Sequence, residues 1–143
     1  MKTRILIIED DEQSRYLLSV ILEHHGYQVI QACDGYEGIE AAKQARPALI
    51  LLDLLLPGLD GYAVAQKLRR DSAFTRVPIL AVTAIPMMSN HKRALAAGCT
   101  DYIEKPVDQN FLIDRIKEHL RSDEQPDNLL NPGGYSYKSG GGE

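Results

Sequence analysis

Two cysteines in 143 residues leave no room for a disulfide framework, and Cys33 and Cys99 lack metal-type spacing. They read as free thiols, buried or half-buried, in a reducing compartment. Long hydrophobic runs are absent too. The longest, at 48–52 and again at 54–56, is broken by Asp53 and falls well short of the roughly 20 residues that cross a bilayer. No membrane insertion is expected. The N-terminus shows neither the apolar core nor the small-residue cleavage site of a secretory leader, which points to a cytoplasmic protein. Basic runs are missing as well: sixteen Lys and Arg stand against twenty Asp and Glu, for a net charge of −4. Without a basic stripe to track phosphates, direct DNA binding is not expected.

What is present is a regular alternation. Short apolar runs at 4–8, 28–32, 48–52, 79–82 and 101–103 are separated by segments of helical periodicity. Strands buried on both faces are apolar at consecutive positions, so this order predicts an α/β fold, a doubly wound five-stranded parallel sheet with helices on both faces. The run at 28–32 is more polar and suits a sheet edge. Leu17, Leu18, Ile21 and Leu22 share one side of a first helix that Gly26 can end in a left-handed cap. Asp34, Asp60 and Asp108 are placed to cap the second, third and last helices. Their apolar faces carry Ile39 and Ala42, then Val64 and Leu68, then Leu112, Ile113, Ile116 and Leu120; Asp71 and Ser72 open the loop after the third. Pro86 bars Ile85 from helical geometry, so the fourth helix is expected to start near Ser89 or Asn90 and end at Gly98. The loop before it, 84–88, is expected to be mobile; Met87 and Met88 resemble a soft binding surface, with packing in the loop or a groove the favoured reading. The length suits one domain, 1–122, followed by a polar tail, 123–143, without periodicity and expected to be disordered. The tail holds four acids and one lysine, so the folded part is close to neutral.

In an open parallel sheet, ligands bind outside the carboxyl ends of the strands. The first strand runs into Glu9, Asp10, Asp11 and Glu12, the third into Asp53, the fourth into Thr83, and the fifth into Glu104, Lys105 and Pro106. Carboxylates crowded there repel one another unless a cation sits among them, and Mg²⁺ binds through one or two carboxylates plus water and phosphate oxygens. Asp53, an acid at the tip of an apolar strand, is placed to be an oxygen nucleophile and form an acyl phosphate. Phosphoryl transfer needs mainly positioning and charge neutralisation, which a metal on one side and Lys105 on the other would supply; Thr83 adds a hydroxyl donor. Taken singly, each residue has an ordinary reading: Asp11 and Glu12 as helix caps, Thr83 as a strand-end threonine, Lys105 as a solvated lysine, Tyr102 as strand packing.

Together, Ile5-Leu6-Ile7-Ile8-Glu9-Asp10, the segment 51–61 around Asp53, Val82-Thr83-Ala84 and the segment 96–106 ending in Lys105-Pro106 resemble the receiver domain of response regulators, over residues 3 to 121. The resemblance implies a flavodoxin-like strand order, 2-1-3-4-5, and a two-component signalling switch rather than an enzyme acting on an outside substrate. It makes Asp53 the phosphoacceptor, supplied by a histidine kinase or phosphotransfer protein. The metal would be Mg²⁺, with Mn²⁺ able to substitute, held by Asp10, by Glu9 partly through water, by Asp53 and by the backbone carbonyl of Leu55. Thr83 and Lys105 would hold phosphoryl oxygens. Thr83 moving toward the phosphoryl group and Tyr102 turning inward behind it would form the switch. The face built by the fourth helix, fifth strand and fifth helix would then change shape to control a downstream protein, the chain being a monomer or a weak dimer through that face, or the phosphoryl group would be relayed onward. Lys105-Pro106 is expected to be cis. Leu55 and Ile85, two residues after Asp53 and Thr83, are apolar where many members carry polar residues, which implies slow hydrolysis because neither can orient a water.

Other functions fit less well. A haloacid dehalogenase-type enzyme also uses a strand-end aspartate, but needs a second acid where Leu55 stands. A flavodoxin-type module needs a neutral, Gly-rich phosphate loop where this chain has four consecutive acids. A receiver-like module that only binds partners is the closest rival, and the set Asp10, Asp53, Thr83 and Lys105 argues against it. His24 and His25 suit a helix C-terminus, and His91 and His119 read as helix-surface residues rather than ligands.

Overall fold

Strand and helix alternate as β1 (Arg4–Ile8), α1 (Glu12–His24), β2 (Gln28–Ala32), α2 (Gly35–Ala45), β3 (Leu49–Leu52), α3 (Gly61–Arg70), a 3₁₀ turn (Ser72–Phe74), β4 (Ile79–Thr83), α4 (Met87–Ala97), β5 (Asp101–Glu104) and α5 (Gln109–Glu124). The structure, a computed structural model, describes residues 2–124. The tail expected to be disordered therefore lies outside the described residues, apart from its first two, in which α5 continues to Glu124. The strands form one parallel sheet in the order β2-β1-β3-β4-β5, as expected. β2 is one of the two edge strands, with only Ala32 fully buried.

Strand alternation splits the interior into two cores. Ile5, Ile7, Leu49, Leu51, Leu80, Val82 and Ile103 pack against Leu18, Ile21 and Leu22 of α1 and Leu112, Ile113 and Ile116 of α5. Leu6, Ile8, Ile50, Leu52, Ile79, Ala81 and Tyr102 pack against α2, α3 and α4 through Ala42, Val64, Leu68 and Ala94. The chain leaving β1 thus turns to one face and the chain leaving β3 to the other, which opens a crevice between neighbouring strands at the carboxyl edge.

The aspartate caps are present. The side chains of Asp11, Asp34 and Asp60 accept from the N–H of Ser14, Glu37 and Ala63, and Asp108 accepts from Asn110 N–H. Gly26 follows α1 with φ +89°. Several local expectations are corrected. Leu17 is 56% exposed, because only the stripe through 18, 21 and 22 faces the sheet; Leu17 borders an open groove shared with Pro106 and Val107. Cys33 is exposed and only Cys99 is buried, both as free thiols. β3 starts one residue later than expected, and β4 and β5 extend one further, to Thr83 and Glu104.

The fourth helix begins at Met87, two residues before the earliest expected start. Pro86 takes the N-cap position with ψ 132°, so its steric restriction falls on Ile85 and leaves Met87 free to be helical. No side chain of α4 caps its own N-terminus; instead Met87 N–H donates to Glu104 Oε1 at 3.1 Å. Met87 and Met88 lie on the helix and are exposed, Met88 by 98%, so they do not pack as expected. At the other end, Arg69 of α3 donates to the carbonyls of Gly98, Phe74 and Val77 and to Thr100 Oγ1, fixing the C-terminus of α4 to α3.

His119 is also more engaged than a surface residue. Its Nε2 lies 2.9 Å from Asp101 Oδ2, which Arg115 also binds, joining α5 to the edge strand β5. Burial alone would raise the Asp101 carboxyl, but hydrogen bonds from His119, Arg115 and the Tyr102 amide outweigh it and hold it at about 2. A carboxyl lowered by folding stabilises above its ordinary value of 3.8 and loses that contribution as pH falls through its folded value. Asp101→Asn should therefore cost roughly 2 kcal/mol at neutral pH. In chemical denaturation the gap to wild type should close between about pH 4 and about pH 2; a gap that stays constant over that window would contradict this assignment.

Candidate functional site

Backbone bonds run one residue past the strands at the carboxyl edge. Glu9 N–H donates to Ala32 O at 3.0 Å, Asp53 N–H to Ile8 O at 3.0 Å, and Lys105 N–H to Thr83 O at 2.9 Å. Three rim residues are therefore positioned by the sheet before their side chains make any contact. Beyond Asp53 the chain keeps alternating, with Leu54 and Leu56 buried and Leu55 58% exposed. It turns at Leu56-Pro57-Gly58, where Gly58 has φ +71°, and enters α3 at Gly61.

The side chains converge on one ammonium group. Lys105 Nζ lies 2.6 Å from Glu9 Oε1 and 3.2 Å from Asp53 Oδ2. The remaining oxygens are held from the backbone: Glu9 Oε2 accepts from Asp11 N–H and Asp53 Oδ1 from Leu55 N–H, each at 3.0 Å. Glu9 and Asp53 are buried and Asp10 is exposed, and carboxylate oxygens of the three lie within 4.8 Å of one another. Burial pushes the Glu9 carboxyl up, with the neighbouring Asp53 charge adding to it and Lys105 and the Asp11 amide opposing it. Burial would lower Lys105, but Glu9 and Asp53 outweigh that and hold it up. One ammonium, paired with Glu9 and Asp53, thus stands against a cluster of three carboxyl groups. That imbalance, on hard oxygen donors at this spacing, fits a small divalent cation such as Mg²⁺.

Thr83 is fully buried at the same edge, with its Oγ1 3.4 Å from Ile85 N. Tyr102 is buried with its hydroxyl donating to Ile85 O at 2.6 Å. Burial pushes that phenol up to about 12, so it stays protonated and can donate. Lys105-Pro106 is cis, as expected. The structure therefore gathers Glu9, Asp10, Asp53 and Lys105 in one cluster and places Thr83 and Tyr102 along the loop from β4 to α4. Asp11 serves as the α1 cap, and Glu12 begins that helix. The place of Arg15 and the capping role of Glu104 escaped the sequence reading. Arg15 Nη1 donates to Glu9 O at 2.8 Å and reaches Asp10 O at 3.4 Å; a basic residue one turn into the helix after an acidic run was the available signal. The role of Glu104 was hidden because its partner is a backbone amide on a different element.

The fold and this rim are those of a phosphoacceptor signalling domain, and the comparison with known proteins agrees: the response regulator receiver domain profile matches residues 5–117. The chain belongs to that family. It is 42% identical over 118 residues to the DNA-binding dual master transcriptional regulator RpaA of Synechocystis, covering 82% of this chain but 49% of that protein. The chain thus spans about half of that relative. It is 34% identical to protein PilH of Pseudomonas aeruginosa, covering 82% of this chain and 97% of that one. Among solved structures, the receiver domain of the sensor histidine kinase PA1611 of P. aeruginosa, with a magnesium ion in its active-site cleft, superposes with a TM-score of 0.80 at 31% identity, covering 85% of this chain and all of that one.

The glycines flanking the turn give a test of how tightly the nucleophile's strand end is packed. A Cβ on Gly61 would lie 2.4 Å from Asp53 O and 2.5 Å from Leu54 Cα, both backbone atoms, whereas one on Gly58 would meet nothing within 4 Å. Gly61→Ala should cost about 2 to 3 kcal/mol through overpacking, and Gly58→Ala only about 1 kcal/mol through its left-handed backbone. Urea unfolding of the two variants checks the order; equal losses would mean that the strand end yields freely.

Proposed function

We propose that this chain is a cytoplasmic phosphorylation switch in which Asp53 accepts a phosphoryl group from a histidine kinase or phosphotransfer protein. The observation that carries this reading is the Lys105 ammonium shared between Glu9 and Asp53, with Asp10 beside them. Glu9, Asp10, Asp53 and the Leu55 carbonyl would hold Mg²⁺, or Mn²⁺ in its place; when bound, the ion neutralises charge on phosphoryl oxygens. An Asp53 carboxylate oxygen attacks phosphorus, the phosphorus–nitrogen bond of the donor phosphohistidine breaks, and the imidazole departs. Lys105, hydrogen-bonded to Asp53, would follow the phosphoryl oxygens, and Thr83 would approach them from β4. Tyr102, through Ile85 O, links Thr83's loop to the face of α4, β5 and α5, which would read out to a protein partner, a weak dimer or an onward relay. With a folded core near neutral and no basic stripe, a protein target suits it better than DNA.

Incubation with Mg²⁺ and acetyl phosphate should add one phosphoryl mass to the intact protein, and Asp53→Asn or a chelator should abolish it. No gain under any divalent metal would leave a binding-only receiver as the better reading. Leu55, exposed above Asp53, and Ile85 offer no group to orient an attacking water, so hydrolysis should be slow. Leu55→Asn should shorten the phosphoryl lifetime severalfold, measured by loss of the added mass after donor removal; a longer lifetime would count against this role.

A further inference from the structure

Tyr102 and Glu104 are two residues apart on β5, so both side chains leave the strand on the same side. Each ends on the backbone of the loop between β4 and α4: Tyr102 on the carbonyl of Ile85 at 2.6 Å, Glu104 on the amide of Met87 at 3.1 Å. The two contacts bracket Pro86. That proline has no side-chain oxygen, α4 has no acidic residue in its first turn, and no side chain of the helix caps it. Glu104 is therefore a helix cap supplied from another element, a carboxylate at a helix N-terminus where negative charge is favoured. Its bond coexists with a buried Tyr102 ring, 4% exposed. Any population in which Tyr102 swings out would release Ile85 O and slacken the loop that carries Met87 to Glu104.

We propose that Glu104 is a positioning residue that, by capping α4 from β5, holds the β4–α4 loop in the arrangement that keeps Tyr102 inward, before any phosphoryl group arrives. Because the proposed switch uses the inward position of Tyr102, this rests on that reading for its consequence but not for its test. Removing the cap lowers the inward population and should make the α4 face harder to set.

The test uses unphosphorylated full chain. Amide exchange by NMR at Met87 should accelerate roughly fivefold in Glu104→Ala, the order expected for loss of a helix cap, while β1 amides keep wild-type protection and so report an intact fold. The Tyr102 ring resonance, assigned with Tyr102→Phe, should shift toward a solvent-exposed position in the same variant. Glu104→Gln, whose amide oxygen can still accept from Met87 N–H, should restore both readouts. Unchanged Met87 exchange in Glu104→Ala, no rescue by glutamine, or faster exchange with an unmoved Tyr102 resonance would each overturn the proposal. Failure of Asp53 to take up a phosphoryl group would defeat the proposed function and leave these readouts standing.

Discussion

One ammonium group between two buried carboxylates organises the carboxyl edge of this sheet. Lys105 arrives from β5, Glu9 from β1 and Asp53 from β3, and the three touch at 2.6 and 3.2 Å. Buried carboxylates are tolerated only when paired and hydrogen-bonded, and here each also takes a backbone amide. Each oxygen of Glu9 and Asp53 has one partner and keeps a second lone pair, and Asp10 adds more from the exposed side. Such a site is ready for a cation and for an incoming anion that a cation would tolerate. The family to which the chain belongs uses that readiness for signalling.

The rest of the fold serves to bring those three strands into register and to connect their edge to a surface. The parallel sheet supplies the register, with β3 central and the two faces packed by separate cores. β5 supplies the connection. Lys105 faces the cluster, while Tyr102 and Glu104 reach the loop that leads into α4. The far end of α4 is fixed by Arg69 through Gly98. Its two ends are thus held differently, the far one by a guanidinium on several carbonyls and the near one by single hydrogen bonds from Met87 to Glu104, from Tyr102 to Ile85 and from Tyr62 to Asn90.

Most of the architecture was legible because burial on both faces writes unbroken apolar strands, and because aspartate caps mark helix starts. Asp34 and Asp60 stand where their helices begin for that reason. The rim was legible because charged residues immediately after apolar strands have few structural uses at that edge. What was not legible depended on partners distant in sequence. The α4 start was misplaced because its cap is Glu104, seventeen residues on. His119 read as a surface residue because its partner Asp101 lies eighteen residues away on another element. Leu17 read as core because helical periodicity alone does not tell the centre of an apolar stripe from its margin.

The proposed divalent cation site joins Glu9, Asp10 and Asp53, whose charge Lys105 balances only in part. Titration of ¹⁵N-labelled protein with trace Mn²⁺ tests it most directly, since paramagnetic broadening reports where the ion sits. Amides at 9–11 and 53–55 should broaden first, Mg²⁺ should compete the effect away, and Asp10→Asn should weaken it at least tenfold. Broadening spread over the surface acids, or a pattern at the rim indifferent to Asp10→Asn, would contradict it.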